Sequence, residues 1–145
     1  MKRILSSVLA ALLGIGGMSV TAVPGSAADL GTYRDDSGIC GERWVLNKIS
    51  NRFSYQVRHV PHLPQVRIDD FYSIHQHRYL PAQDDRPIGR RYCGAKVALS
   101  DGRSRDIWYL IEEGLGFAGV GDNVEFCVSG FDRWRVYNGG CRVLR

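Results

Sequence analysis

Four cysteines constrain this chain more than any other feature of its sequence. Cys40, Cys93, Cys127 and Cys141 all lie after the first 28 residues, and no two have the C-x-x-C spacing of a redox dithiol or a zinc ribbon. An even number of cysteines in a small exported domain is typical of disulfides, here two, with three possible connectivities. The turn-rich segment between Cys127 and Cys141 favours pairing of these two, which leaves Cys40 to pair with Cys93.

The first 28 residues have the pattern of a cleavable signal peptide. Lys2 and Arg3 precede an apolar stretch, and the small residues Ser26 and Ala28 predict cleavage before Asp29. An uncleaved membrane anchor is the alternative, because the stretch is about 20 residues long. We therefore expect a signal peptide at residues 1–28, a single domain at residues 29–145, and a periplasmic or secreted product without stable membrane insertion after cleavage.

Charge argues against nucleic acid as a partner. The 145-residue chain has 19 basic and 15 acidic residues, a formal charge of +4, and loss of Lys2 and Arg3 lowers this to +2. A dedicated nucleic-acid-binding domain normally concentrates basic residues on one face, which so small an excess does not indicate.

Periodicity predicts one N-terminal helix followed by antiparallel strands. From Cys40 to about His59, apolar residues recur at helical spacing, centred on Leu46, Ile49, Phe53 and Val60. Residues 66–79 predict an irregular strand or strand pair. Residues 90–99 and 105–112 flank the Asp101-Gly102 turn as a hairpin, and residues 124–128 predict a further strand, with short edge pieces at 134–137 and 142–144. The fold class is α+β, with the helix packed on one face of an antiparallel meander.

A glycine-rich segment after the hairpin contains a literal G-x-G-x-x-G over residues 114–119. A dinucleotide site needs a helix to follow this motif, whereas here a strand is predicted. We therefore expect a turn with Phe117 tucked onto the core, and no cofactor.

All four histidines lie within residues 59–77, and two of them are spaced to share one strand face. His75 and His77 at this spacing are able to chelate copper or zinc. Scattered surface histidines are the alternative interpretation.

Carboxylates surround the glycine-rich segment, namely Glu112, Glu113, Asp122 and Glu125. A small cell-wall hydrolase would need two of them across a cleft, one protonated and one ionised. Paired acids at the end of a strand are more often simply solvated, so an enzyme is the less favoured interpretation.

Alternating arginine and aromatic residues lie between Cys127 and Cys141. Arg133, Trp134, Arg135 and Tyr137 are of the types that dominate binding hot spots. The alternative is structural, with cation–π contacts closing one end of the core. Together with Phe117, these residues form the candidate binding surface.

The chain resembles an uncharacterised family of small exported proteins of alphaproteobacteria, rhizobia among them. The resemblance rests on Arg90-Arg91-Tyr92-Cys93, Ser100-Asp101-Gly102-Arg103, Gly116 to Gly119, Asn123 to Val128 and Asp132-Arg133-Trp134, and it covers roughly residues 88–145 plus Cys40. It implies a periplasmic location and carries no activity, cofactor or catalytic residue. We therefore expect a non-enzymatic binding module for an envelope protein, peptidoglycan or an inhibited enzyme.

Overall fold

The computed structural model describes residues 38–145, so the expected signal peptide and the stretch up to residue 37 lie outside the described residues. A short 3-10 turn, Gly38–Gly41, leads into one helix and four strands. Their bounds are α1 Arg43–His59, β1 Ile68–Leu80, β2 Arg90–Leu99, β3 Ser104–Glu112 and β4 Asn123–Val128. The strands form one antiparallel sheet in sequence order. The α+β meander predicted from the sequence is confirmed.

Helix α1 packs through a single row of apolar side chains spaced by four residues. The fully or almost fully buried members of the row are Val45, Ile49, Phe53 and Val57. Leu46 and Val60, which the sequence placed on the buried face, are only half-buried, so that face is rotated slightly from the expected one. The helix ends at His59 because Val60, which precedes Pro61, is extended.

The β2–β3 hairpin closes through the predicted Asp101-Gly102 turn. The Asp101 side chain accepts a hydrogen bond from the backbone N–H of Arg103 at 3.0 Å. Gly102 has φ +77°, a conformation that glycine adopts without steric cost. This hairpin is confirmed, with β3 beginning one residue earlier than expected.

Strand β1 is irregular, as predicted, and is a single strand. Its register against β2 shifts at three points, and Ser73 within it has φ +52°. Such bulges re-aim the side chains that follow. Here they bring both His75 and His77 to the face of the sheet that carries Trp108.

The sheet is covered on both faces. On one face α1 completes the main core, where Phe53 meets Phe131 edge-on at 4.9 Å between ring centroids. On the other face the C-terminal segment covers a smaller cluster around Leu110, Cys141 and Leu144. Residues 134–137 and 142–144 were predicted as edge strands, and this is wrong: the first are turns and the second are a 3-10 turn, Arg142–Leu144.

Both predicted disulfides are confirmed. Cys40–Cys93 ties the turn before α1 to β2, and Cys127–Cys141 ties β4 to the C-terminal segment. Within residues 38–145, no helix is long and apolar enough to cross a membrane.

Candidate functional site

A solvent-open groove of about 280 Å³ lies between the C-terminal half of α1, strand β4 and the segment that follows β4. Its lining is mainly apolar, with two guanidinium groups. The lining residues are Arg52, Gln56, Val60, Phe126, Cys127, Val128, Phe131, Asp132, Arg133, Trp134, Val136 and Tyr137.

The wall of this groove formed by residues 131–137 is held in place by local bonds. The Asp132 carboxylate accepts the backbone N–H of Tyr137, and the Asp132 carbonyl accepts that of Arg135 at 3.1 Å. From α1, the Gln56 side chain donates to the Phe131 carbonyl at 3.0 Å. With the Cys127–Cys141 disulfide closing the segment, the wall is organised before any ligand arrives.

Three of the five predicted binding residues line the groove. Arg133, Trp134 and Tyr137 face it, whereas Arg135 is not among the lining residues. Trp134 is 65% exposed. Among the described residues neither Arg133 nor Arg135 stacks on an aromatic ring, so the cation–π contacts of the structural interpretation do not form at these two arginines.

Phe117 lies on another loop, and the expectation that it packs on the core is wrong. Its side chain is 96% exposed. The loop closes on itself through backbone hydrogen bonds, which leave Phe117 outside.

Sequence reasoning missed the half of the groove that α1 contributes. Arg52 and Gln56 are one helical turn apart and both donate to backbone carbonyls on or after β4. Their shared helix face was visible as a spacing of four. Their partners, 72 and 75 residues away, were not.

Tyr137 lies half-buried in the lining of the groove. Burial raises the pKa of its phenol, and the negative charges of Glu125 and Asp132 raise it further. The phenol is therefore neutral at ordinary pH, which suits a packing and hydrogen-bonding role.

His75 and His77 do share a face, 6.3 Å apart between ring centroids. Trp108 stands edge-on to both imidazoles, and His75 lies directly over Gly94, where an added Cβ would be 2.8 Å from its ring. The pKa of His77 is lowered, first by burial and then by the charges of His75 and Arg78. Within residues 38–145, no three metal-ligating side chains come together.

Three of the four carboxylates of the hydrolase hypothesis have a partner among the described residues. Strand β3 ends at Glu112, and Glu113 lies in the turn that follows it. Each is paired with an arginine: Glu112 with Arg90 at 3.1 Å and Glu113 with Arg91 at 3.0 Å. Asp122 accepts the Gly114 N–H, so its carboxylate serves the loop.

The G-x-G-x-x-G segment itself ends in a three-residue 3-10 turn, Phe117–Gly119, and the next regular element is β4. The helix whose N-terminus would hold a pyrophosphate is therefore not present at this position. Comparison with protein-family models, with curated proteins and with solved structures finds no match to the chain. The family resemblance stays a prediction.

Proposed function

We propose that this protein is an exported, non-enzymatic binding module that holds a protein partner through the groove between α1 and residues 131–137. The observation that carries the proposal is the combination of an exposed tryptophan with a wall fixed by a disulfide. Trp134 presents a large apolar surface to solvent, and it lies on a segment that the Cys127–Cys141 disulfide already orders. Such pre-organised aromatic residues are typical hot spots of protein interfaces.

The size of the groove favours a protein over a free small molecule. Its 280 Å³ is at the lower limit of small-molecule pockets, about 300–1,000 Å³. That volume takes one or two side chains, while the exposed rim at Trp134 and Val136 offers contact to the rest of a partner. We infer a partner that inserts an apolar anchor, with an acidic group beside it for Arg133.

Arg133 is the charge in the groove best placed to recognise such a group. It is exposed and forms no hydrogen bond or ion pair with the described residues, whereas Arg52 already donates to the Val124 carbonyl. An envelope protein or an external enzyme fits this chemistry. The two disulfides are compatible with an extracellular protein, and the periplasmic or secreted location is part of the proposal.

The test is site-specific photo-crosslinking in the producing cell. A photoreactive phenylalanine at position 134 or 136 should give the same partner adduct, and one at Tyr55, which is 61% exposed on α1 outside the groove lining, should not. With the purified partner, Trp134→Ala and Arg133→Ala should each raise Kd roughly tenfold or more, with little change in Tm.

Arg135→Ala is the matched control for Arg133→Ala, because Arg135 is exposed two residues away and does not line the groove. Equal loss for both arginine variants contradicts the assignment of the groove. Co-sedimentation with purified cell-wall sacculi through Trp134 identifies peptidoglycan as the ligand and overturns the protein partner. The absence of any Trp134-dependent binding overturns the proposal.

A second candidate function is supported by the His75–His77 pair, which we propose as a copper(I) site. Two imidazole nitrogens each about 2 Å from one ion between them place the ring centroids roughly 6 Å apart, close to the 6.3 Å observed. The His75 Nδ1 lies 2.9 Å from the Ser73 carbonyl, the kind of bond that orients a metal-binding histidine.

The surroundings favour copper(I) over zinc. Zinc sites use three or four protein ligands, and the described residues supply only this pair. Arg78, whose guanidinium lies over the ring of Tyr92 at 3.6 Å, adds positive charge beside His77 and disfavours a divalent ion. Titration with copper(I) against a chromogenic chelator should show one site that His75→Ala with His77→Ala removes and that His59→Ala with His62→Ala retains. Equal uptake by both double variants rules the site out.

A further inference from the structure

The loop of residues 114–121, between β3 and β4, is an exposed segment that is entirely apolar in its side chains. Its sequence, Gly-Leu-Gly-Phe-Ala-Gly-Val-Gly, contains no polar side chain. Phe117 is 96% exposed, Val120 79% and Leu115 42%. Single exposed apolar residues are ordinary, but three on one loop without a polar neighbour form a continuous apolar tip.

The tip is held outward by the backbone of the loop. Gly116 N–H donates to the Gly121 carbonyl at 2.8 Å, and Gly119 N–H donates back to the Gly116 carbonyl at 2.9 Å. Closure requires glycine at position 116, where a Cβ would be 1.9 Å from the Val120 carbonyl oxygen. Phe117 is therefore displayed at little further entropic cost.

The base of the loop has the composition of an interfacial collar. Trp44 and Lys48 of α1 line a shallow depression together with Val120 and Asp122. The Lys48 ammonium donates to the Asp122 backbone carbonyl at 2.8 Å, which fixes this cation at the base of the loop. The acidic residues at the end of β3 are neutralised by arginines, Glu112 by Arg90 and Glu113 by Arg91. Tryptophan and lysine are the residues that lie at the headgroup level of a bilayer, the first through its amphipathic ring and the second through its attraction to anionic lipid.

We propose that this loop is a membrane-contact site, in which Leu115, Phe117 and Val120 enter the headgroup–acyl boundary of a bilayer containing anionic lipid. A protein partner would be met with hydrogen bonds as well as apolar area, about one per 100–200 Å². This loop has no side chain to donate or accept one, and several of its backbone N–H groups are already bonded within it. Binding to a lipid surface requires only apolar area and a positive charge near the headgroups, here that of Lys48.

The contact is peripheral and reversible, since three side chains enter and no helix spans. It is independent of the groove at residues 131–137, and the two sites contact different halves of α1. The loop therefore brings the groove to a membrane surface, and a partner in the groove does not compete with the membrane for the same residues.

The experiment uses the purified domain and vesicles of phosphatidylethanolamine with about a third phosphatidylglycerol, which supply the negative surface potential. The wild-type protein should co-sediment with these vesicles. Phe117→Ala should lower the partition coefficient roughly tenfold to a hundredfold, and Phe117→Asp should abolish co-sedimentation. Lys48→Gln should lower it roughly fivefold on anionic vesicles and leave binding to phosphatidylcholine vesicles unchanged.

Two controls separate the loop from general stickiness and from unfolding. Val136→Ala removes an apolar side chain at the groove rim that is 68% exposed, compared with 79% for Val120 in the loop. This variant should keep the wild-type partition coefficient. Acyl-brominated lipid should quench Trp44 fluorescence, and Trp44→Phe should lose this quenching while Trp134→Phe retains it. The Phe117 variants should keep the wild-type Tm because this side chain is almost fully exposed.

Wild-type protein that stays in the supernatant overturns the proposal, as does folded Phe117→Ala that partitions like wild type. Loss of the groove partner in Phe117→Asp, with no vesicle binding by wild type, makes the loop a protein contact instead. Failure here leaves crosslinking at position 134 intact, so the two proposals fail separately.

Discussion

The guanidinium of Arg52 on α1 donates a hydrogen bond to the carbonyl oxygen of Val124 on β4 at 2.6 Å. One helical turn earlier Lys48 donates to the Asp122 carbonyl at 2.8 Å, and one turn later Gln56 donates to the Phe131 carbonyl. Strand β4 is an edge of the sheet, and Arg52 occupies an acceptor of that edge, whereas Asp122 and Phe131 lie just before and just after the strand. The helix is therefore tied to β4 and to the residues on either side of it.

Replacing Arg52 should weaken the attachment of α1 to β4. We expect Arg52→Met to lower the free energy of unfolding by about 1 kcal/mol, since it removes a charge-assisted hydrogen bond at an exposed side chain. Urea denaturation measures the change. Arg58→Met, an exposed arginine on the same helix with no hydrogen bond to the described residues, is the control and should change stability by less than half as much. Equal losses would mean that the bond to Val124 contributes nothing.

The buried phenol of Tyr109 should make stability fall in alkali. Tyr109 donates to the Cys40 carbonyl at 2.8 Å, and burial raises the pKa of its phenol well above the ordinary value. Above about pH 10 the unfolded chain releases this proton while the folded chain keeps it, so stability is complete below pH 10 and falls by up to about 1.4 kcal/mol per pH unit beyond it.

Tyr109→Phe should make that alkaline slope shallower, with the remainder due to Tyr137, whose pKa is also raised, and it should cost about 1–2 kcal/mol at neutral pH, because the Cys40 carbonyl loses its donor. Urea unfolding at a series of pH values measures both effects. Tyr55→Phe, at an exposed tyrosine, is the control and should keep the slope. An unchanged slope in Tyr109→Phe would show that other groups cause the alkaline loss.

The two disulfides should stabilise the domain unequally. In the chain-entropy model, removal of Cys40–Cys93 costs about 4 kcal/mol and removal of Cys127–Cys141 about 3 kcal/mol, because the first closes the longer loop. Paired Cys→Ala variants, unfolded in denaturant, give the two values. The Cys127–Cys141 variant should also lose binding through Trp134 at temperatures where it is still folded. Retention of that binding would show that the groove wall needs no covalent closure.

Gly94 should be essential to the packing of the outer face. An added Cβ there would be 2.8 Å from the His75 ring and 2.9 Å from that of Trp108, so one side chain must move. We expect Gly94→Ala to cost about 1–3 kcal/mol through overpacking and to change the near-ultraviolet circular dichroism of the indole. Lys96→Ala, at the next outward position of β2, should leave that spectrum unchanged. A wild-type spectrum for Gly94→Ala would mean that the pocket over this glycine is loose.

Local signals in the sequence were sufficient for much of this fold. Asp101-Gly102 specifies its turn whatever surrounds it, and the helical spacing of apolar residues in α1 is a property of the segment alone. The disulfide pairing followed from the shortness of the Cys127–Cys141 segment. Each of these depends on residues close in the chain, and each is confirmed.

The failures depend on distant contacts or on backbone conformation. The alternation around Trp134 is typical of a strand, but Arg135 at φ +56° and Asn138 at φ +60° turn the chain instead. We expected Phe117 in the core because it is hydrophobic, whereas the backbone hydrogen bonds of its loop leave the side chain in solvent. The α1 half of the groove depends on contacts spanning more than 70 residues, which no local pattern encodes.

Helix α1 comes first in the described chain but packs against residues that come late in it, and this has a consequence for folding during synthesis. The helix emerges from the ribosome before any strand, yet its buried row packs in one core with Val124, Val128 and Phe131. Until those residues are made, the apolar side of α1 has no complete surface to cover it. A chain that stops before Val124 therefore lacks part of this core and leaves the apolar side of α1 partly uncovered.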